Sequence, residues 1–275
     1  PLTVDSPCPY YGTSFKLAAL AEVERRAGPP ILVMLDSDTL FLAPPVFSLG
    51  EHGVGLRPVD GKGMCTAGPG DRFDEYWRRL CTICSVAYDD IPWIETTTDG
   101  LRVKASHNGG MVAANRRDGL FTTSYDFLCR SATADLFPRP NDGRKNATGR
   151  SGAGPIPRLA ARIWGAAQAA LSLAIVARGL EARILPPTYN VPCHYFDPVV
   201  ARWPEVAMNS VHVHYHWLCN ADGLANNPLL DGRMKVPKAI RPLLARHLPV
   251  DQPPSLQRQL IQFFLFRSRL RRTAL

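Results

Sequence analysis

Two aspartates separated by one serine follow a run of five apolar residues, Ile31 to Leu35. Asp36 and Asp38 need a cation, a proton or hydrogen-bond donors, because an isolated carboxylate is costly to bury at the end of an apolar strand. Carboxylate oxygens suit a hard divalent cation such as Mn²⁺ or Mg²⁺. We therefore predict a metal site at the carboxyl end of this strand, where ligands bind in open α/β sheets. The alternative is a surface Asp-Ser-Asp turn that caps a helix.

Three histidines, His212, His214 and His216, alternate with other residues later in the chain. In a strand, this period of two places all three imidazoles on one face of the sheet. One of them could complete the metal site that the carboxylates begin, or the rings could serve as aromatic packing with some hydrogen bonds. Both alternatives stay open, because only the register of the strand decides which ring faces the acids.

An Asn-Gly-Gly segment precedes the small-residue strand MVAAN. The paired glycines, Gly109 and Gly110, allow a ligand to approach the backbone, and the amide of Asn108 can both donate to and accept from sugar-type hydroxyls. The alternative is a hairpin turn between the strands LRVKAS and GGMVAAN, which Asn-Gly favours. Taken alone, the segment favours the turn.

Helical and extended patterns alternate along the chain, as in an α/β fold. Residues 14–27 have helical spacing and end at a Gly-Pro-Pro sequence, after which the apolar strand ILVML begins. We expect this strand to be buried. Further helices are predicted over 71–88, 118–136, 158–178 and 237–247, and further strands at VGLRPV, EARIL and SVHVHYHW. The charge-free stretch 163–177 is too short to span a membrane and predicts a buried core helix.

The composition is that of a folded chain with a basic end. The 275 residues are 45% hydrophobic, which allows a sizeable core. Residues 233–275 contain ten of the 32 basic side chains and one of the 24 acidic side chains. The rest of the chain is therefore close to neutral and does not indicate nucleic-acid binding.

The seven cysteines are odd in number and irregularly spaced. Cys81 and Cys84 form a CxxC within a predicted helix, and no second CxxC completes a zinc site. We expect buried, reduced thiols and a cytoplasmic location.

The basic C-terminal segment 255–275 would form an amphipathic helix with leucine and phenylalanine on one side. Such a helix could lie peripherally on an anionic membrane, or it could pack against the domain with its arginines reaching solvent. Residues 1–250 are predicted to form the main domain and 251–275 the tail.

Four segments, in this order, resemble the metal-dependent nucleotide-sugar glycosyltransferases of the GT-A fold, most closely the retaining glycosyltransferase family 8 and its relatives. They are the D-x-D of LDSDTL, Asn108 with the Gly-Gly-Met-Val that follows it, the pair Tyr189-Asn190, and Val213-His214-Tyr215. The resemblance extends over about residues 10 to 217.

This resemblance implies a hexosyltransferase that moves a sugar from a nucleotide-diphosphate donor to a glycan or lipid-linked acceptor, with retention of configuration. Asp36, Asp38 and His214 would hold Mn²⁺ or Mg²⁺, and the residues implied in catalysis are Asp38, Asn108 and Gln168. The residues implied in donor binding are Lys16, Asp36, Gly109, Gly110, Tyr189 and Asn190. A solvated lysine on the first helix is the alternative for Lys16.

The chain departs from the family pattern in two places. The Asp-Gln pair on the helix beneath the donor sugar is here Ala167-Gln168. The strands that hold the base and ribose precede D-x-D in the family, and this chain has 35 residues there. We therefore expect a GT-A-like sheet without its N-terminal strands.

Two other functions fit parts of the sequence. A haloacid-dehalogenase-type phosphatase also begins with an apolar strand and D-x-D, with Asp36 as nucleophile, but its D-x-D-x-T pattern meets Leu40 instead of threonine. A truncated GT-A-like domain without catalytic activity is the other alternative.

Overall fold

The computed structural model describes residues 11–139, 158–215 and 227–247, together with Ser6, Cys8 and the short strands at 150–151 and 154–155. These residues form an α/β fold of mixed sheets flanked by helices. The helices are α1 (Gly12–Arg25), α2 (Asp74–Cys84), α3 (Leu120–Thr133), α4 (Arg158–Ile163), α5 (Ala166–Ala177), α6 (Phe196–Arg202), α7 (Val206–Asn209) and α8 (Arg241–His247). The strands are β1 (Ile31–Leu35), β2 (Thr39–Phe41), β3 (Gly53–Leu56), β4 (Trp93–Glu95), β5 (Arg102–Lys104), β6 (Met111–Asn115), β7 (Arg150–Ser151), β8 (Gly154–Pro155), β9 (Glu181–Ile184), β10 (Val191–Pro192) and β11 (His212–His214).

Two sheets meet at the Asp-Ser-Asp segment. The main sheet has the order β1-β6-β3-β9, with β6 antiparallel to both β1 and β3 and with β9 parallel to β3. The second sheet has the order β10-β11-β2, in which β11 is parallel to β10 and antiparallel to β2. Because β1 belongs to one sheet and β2 to the other, the three residues between them cross from sheet to sheet.

Side chains on alternate sides of the main sheet belong to different cores. Leu32 and Met34 of β1, with Val112 and Ala114 of β6, lie in the largest core beside apolar residues of α1, α2, α3 and α5. On the other side, Met111 joins a small cluster with Leu185 and Tyr189. This alternation is the period of two that a strand imposes on its side chains, and it gives the main sheet apolar contacts on both faces.

The second sheet has its own core. Val191 of β10 and Val213 of β11 are fully buried together with Phe196 and Val199 of α6. Each strand of this sheet is only two or three residues long, so its hydrogen bonds alone would not keep the sheet stable. The packing of α6 and of the surrounding apolar residues must supply the rest of the stabilisation.

Two predicted strand arrangements differ from the structure. Strand β1 was expected to be buried, but it is the edge of the main sheet as described, with Ile31 and Leu35 about two-fifths exposed. The predicted hairpin around Asn108 is wrong, because β5 pairs with β4 while β6 pairs with β1 and β3. Residues 107–110 therefore connect two sheets, and the turn at Gly109 and Gly110 joins strands that do not pair with each other.

The predicted helix 158–178 is interrupted at Gly165. This residue has φ +90°, and a side chain there would collide with the sulfur of Met64. A left-handed backbone without room for a Cβ ends α4 and starts α5 in a new direction. As predicted, the apolar helix α5 is buried from Ala169 to Ile175.

The thiols agree with the sequence analysis. Cys65, Cys81, Cys84 and Cys129 are free, and Cys81 and Cys84 are buried on α2. Burial raises their pKa values to about 11 and about 12, which makes them poor nucleophiles. Among the described helices, none has the length and apolar character needed to cross a membrane. The basic tail, 251–275, lies outside the described residues.

His107 ties the segment before β6 to helix α5. Its backbone N–H donates to Ser172 Oγ at 3.0 Å, and its Nδ1 lies 3.1 Å from the same oxygen. The ring is only 2% exposed, and its Nε2 has no hydrogen-bond partner among the described residues. Burial lowers the pKa of His107 to about 4.

This lowered pKa predicts acid sensitivity. The unfolded chain protonates His107 near pH 6.5, whereas the folded chain keeps it neutral to about pH 4. The stabilisation is therefore complete above pH 6.5 and is lost as the pH falls toward 4, with a limit of roughly 3 kcal/mol. His107→Asn should flatten the dependence of the free energy of unfolding on pH in this range, as measured by urea denaturation. An unchanged slope in folded His107→Asn would contradict the assignment.

Candidate metal centre

The Asp-Ser-Asp segment is fixed at both ends by backbone hydrogen bonds. The N–H of Asp36 donates to the carbonyl of Gly110 at 2.9 Å, which continues the ladder between β1 and β6. The carbonyl of Asp38 accepts from the N–H of Tyr215 at 3.0 Å, which continues the ladder between β2 and β11. Thr39 Oγ1 also donates to the Asp36 carbonyl at 2.8 Å. The backbone that carries the two carboxylates is therefore held between two sheets.

Asp36, Asp38 and His214 form a group that could hold a metal ion. His214 Nε2 lies 3.1 Å from Asp38 Oδ1 and 3.6 Å from Asp36 Oδ2. One ligand atom from each residue can be chosen so that all lie within 4.8 Å of one another. The His214 side chain is 6% exposed and the carboxylates are partly exposed, so the group is anchored inside but open on its acidic side.

These distances fit one divalent cation. Neighbouring ligands of an octahedral ion at 2.1 Å are about 3.0 Å apart, which is close to the separation of His214 Nε2 and Asp38 Oδ1. Two carboxylates and one imidazole are three of the ligand types that bind divalent metals in proteins. The alternative of a solvent-exposed capping turn does not account for a buried imidazole aimed at both acids.

Lys16 reaches this group from helix α1. Its ammonium group forms an ion pair with Asp36 Oδ1 and donates to the carbonyl of Gly109 at 2.8 Å. The side chain is 20% exposed, so the alternative of a solvated helix lysine is wrong. Since Asp36 Oδ2 is the oxygen nearer His214, Lys16 occupies one side of the carboxylate and leaves the other for a cation.

Gly110 lets the histidine approach the backbone. A Cβ at this position would lie 2.5 Å from His214 Nδ1 and 2.9 Å from Asn190 Oδ1. Any side chain would displace one or both. At the neighbouring Gly109 a Cβ would meet Gln168, Lys16 and Met34 only at 3.8 to 3.9 Å, which is ordinary contact. The two glycines therefore have different roles.

Asn108 orients the same loop and leads to an acid that the sequence analysis missed. Its Oδ1 accepts from the N–H of Gly110 at 2.8 Å, and its Nδ2 donates to Asp60 Oδ2 at 3.1 Å. Burial raises the pKa of Asp60 to about 6, while the His214 charge and the Asn108 hydrogen bond oppose this shift. Asp60 follows the strand segment VGLRPV as Asp36 follows ILVML, and the same rule would have selected it.

The structure distinguishes between two of the three alternating histidines. His214 faces the carboxylates, whereas His212 is fully buried with its ring centroid 4.6 Å from that of Phe41. Neither nitrogen of His212 has a hydrogen-bond partner within the described residues, and burial lowers its pKa to about 4. His212 is thus a packing residue. His216 lies outside the described residues.

The remaining predicted site residues lie at different distances from the acids. Gln168 on α5 approaches Gly109 beside Lys16, while Ala167 is part of the large core. The hydroxyl of Tyr189 accepts from the N–H of Val46 at 2.9 Å and donates to its carbonyl. Tyr189 therefore fixes the loop after β2, and its neighbour Asn190 turns toward Gly110.

Comparisons of the chain with models of known protein families, with curated proteins and with solved structures found no match.

The contrast between the glycines predicts their effect on metal binding. Gly110→Ala should weaken Mn²⁺ binding about tenfold or more, because its Cβ would push the His214 ring away from the acids. Gly109→Ala should bind Mn²⁺ like the wild type, since its Cβ makes only ordinary contacts. Isothermal titration with Mn²⁺ and circular dichroism of both folded variants would measure this difference. Equal affinities in the two variants would contradict the proposed position of His214.

Proposed function

We propose that this chain is a GT-A-like, metal-dependent glycosyltransferase that moves a sugar from a nucleotide-diphosphate donor to a glycan or lipid-linked acceptor. The observation that carries the proposal is the convergence of Asp36, Asp38 and His214 at the junction of two sheets, with Lys16 beside them. Two carboxylates at the end of a strand suit a cation that binds the phosphates of a nucleotide.

In this proposal Asp38, Asp36 and His214 hold the cation, with Mn²⁺ favoured over Mg²⁺ because one ligand is an imidazole. The bound cation would bind the donor diphosphate and stabilise the negative charge of the leaving group. Lys16 supplies a second positive charge on the same side, where its ammonium group can exchange Asp36 for a phosphate oxygen. Asn108 holds Gly110, and thereby His214, in position.

In this proposal the donor sugar would contact Gln168, which lies beside Gly109 and Lys16. Gln168 offers a carboxamide there, and its neighbour Ala167 is an apolar core residue. An amide can bind a sugar hydroxyl, but it is not a strong nucleophile. Retention of configuration is therefore the part of the proposal that depends on the family resemblance, and the anomeric configuration of the product would test it by NMR.

The free, buried thiols of Cys65, Cys81 and Cys84 support a cytoplasmic location for this reaction. The basic tail could bring the enzyme to an anionic membrane where lipid-linked acceptors lie.

Asp38→Asn should remove metal-dependent donor binding. The substitution keeps the shape of the side chain but removes the charge that a cation needs, so we expect Mn²⁺-dependent affinity for UDP, GDP or their sugars to fall at least about a hundredfold. Asp126→Asn is a matched control, because it removes the same charge from an exposed ion pair with Arg130 on α3. Calorimetry of each protein with and without Mn²⁺ would measure the affinities.

Two results would oppose the proposal. Failure of the folded wild type to bind any of these nucleotides with Mn²⁺ would refute donor binding and favour a domain without catalytic activity. Hydrolysis of a phosphate monoester that is lost in Asp36→Asn would instead favour the phosphatase, in which Asp36 is the nucleophile.

A further inference from the structure

Asn190 has an unusual combination of backbone and side-chain features. Its φ is +49°, in the left-handed region that non-glycine residues occupy uncommonly. The residue is 3% exposed, and neither Oδ1 nor Nδ2 has a hydrogen-bond partner among the described residues. A buried amide without a partner costs free energy, so a group that satisfies it is expected at this position.

The neighbours of Asn190 indicate which group this is. Asn190 precedes β10, whose Pro192 pairs with His214 of β11. Asn190 itself lies outside the strand, so its position relative to His214 follows from the contact that both side chains make with Gly110. Asn190 Oδ1 and His214 Nδ1 both lie against the Cα of Gly110, at 2.9 Å and 2.5 Å from the position of its absent Cβ.

The two nitrogens of His214 face different surroundings. Nε2 faces the carboxylates of Asp36 and Asp38, whereas Nδ1 is on the side of Gly110 and Asn190. When one nitrogen of a histidine binds a metal, the other carries the proton and usually donates it to an oxygen acceptor that fixes the ring. We propose that Asn190 is this acceptor: its Oδ1 binds the Nδ1–H of His214 when Nε2 holds the cation.

This inference rests on the proposed metal site but assigns Asn190 a role of its own. Asn190 acts through His214 and is a positioning residue, distinct from one that touches the donor. The left-handed backbone is consistent with this role, because asparagine tolerates it better than most side chains and glycine tolerates it best. Glycine would suit the backbone, so the carboxamide is the part of Asn190 that this role requires.

The test uses the tolerance of glycine for this backbone. Asn190→Gly removes the carboxamide, and glycine adopts this φ without strain. The melting temperature of Asn190→Gly should therefore be at least as high as that of a control variant with glycine at another left-handed position. Ser85→Gly is that control, since Ser85 also has a left-handed backbone, with φ 58°, at the end of α2. We expect Asn190→Gly to lose Mn²⁺ affinity 10- to 100-fold in calorimetry without nucleotide, while Ser85→Gly keeps the wild-type affinity.

A second variant separates positioning from a general effect on the fold. Asn190→Asp keeps an oxygen that accepts from His214 Nδ1–H, so it should restore Mn²⁺ affinity to at least the wild-type value. If Asn190→Asp does not restore the Mn²⁺ affinity, the inference is wrong. It is also wrong if Asn190→Gly keeps the wild-type Mn²⁺ affinity and loses only nucleotide binding, because the amide would then contact the donor. If the wild type itself binds no Mn²⁺, the proposed metal site fails first, and the inference fails with it.

Discussion

The site depends on one short piece of backbone that belongs to two sheets at once. Asp36 is hydrogen bonded to Gly110 in the main sheet, and Asp38 is hydrogen bonded to Tyr215 beside the second sheet. Neither bond involves a side chain, so strand pairing fixes the backbone of the two aspartates, and Lys16 and His214 contact their carboxylates. The same pairing brings His214 opposite Thr39, one residue beyond Asp38. A shift of β11 by one residue would turn His214 away from the acids, because side chains alternate across a strand.

The charges around this segment are arranged for an incoming cation. Two carboxylates and the ammonium group of Lys16 have a formal sum of one negative charge. A divalent ion would turn this into one positive charge, which favours an anionic ligand such as a diphosphate. Lys16 contributes without blocking the cation, since it binds the Asp36 oxygen that is farther from the histidine group.

The parts of the structure that the sequence predicted are those that depend on local order. The apolar run before Asp36 and the period of two at His212 and His214 identified the strands and the candidate ligands, because both patterns are read within a few residues. The choice of His214 over His212 could not be made this way, since it depends on the pairing of β11 with β2, some 170 residues earlier in the chain. The failed hairpin has the same origin: Asn108 and Gly109 favour a turn locally, but β5 and β6 find distant partners. The rule that selected Asp36 would also have selected Asp60. The lack of room for a Cβ at Gly165, beside Met64, could not be predicted from the sequence.

Close approach at Gly110 explains why an Asn-Gly-Gly sequence serves a purpose other than a hairpin here. The site requires the imidazole of His214 to lie against the main sheet while its strand belongs to the second sheet. A Cβ at Gly110 would lie 2.5 Å from His214 Nδ1 and would displace the ring, and the ligands of one cation tolerate little displacement. The side chain of Asn108 accepts a hydrogen bond from the N–H of Gly110. This bond restricts the backbone of the glycine, whose conformational freedom would otherwise loosen the site. The loop is therefore as much a part of the metal centre as the residues that would bind the ion, although it supplies none of the ligands.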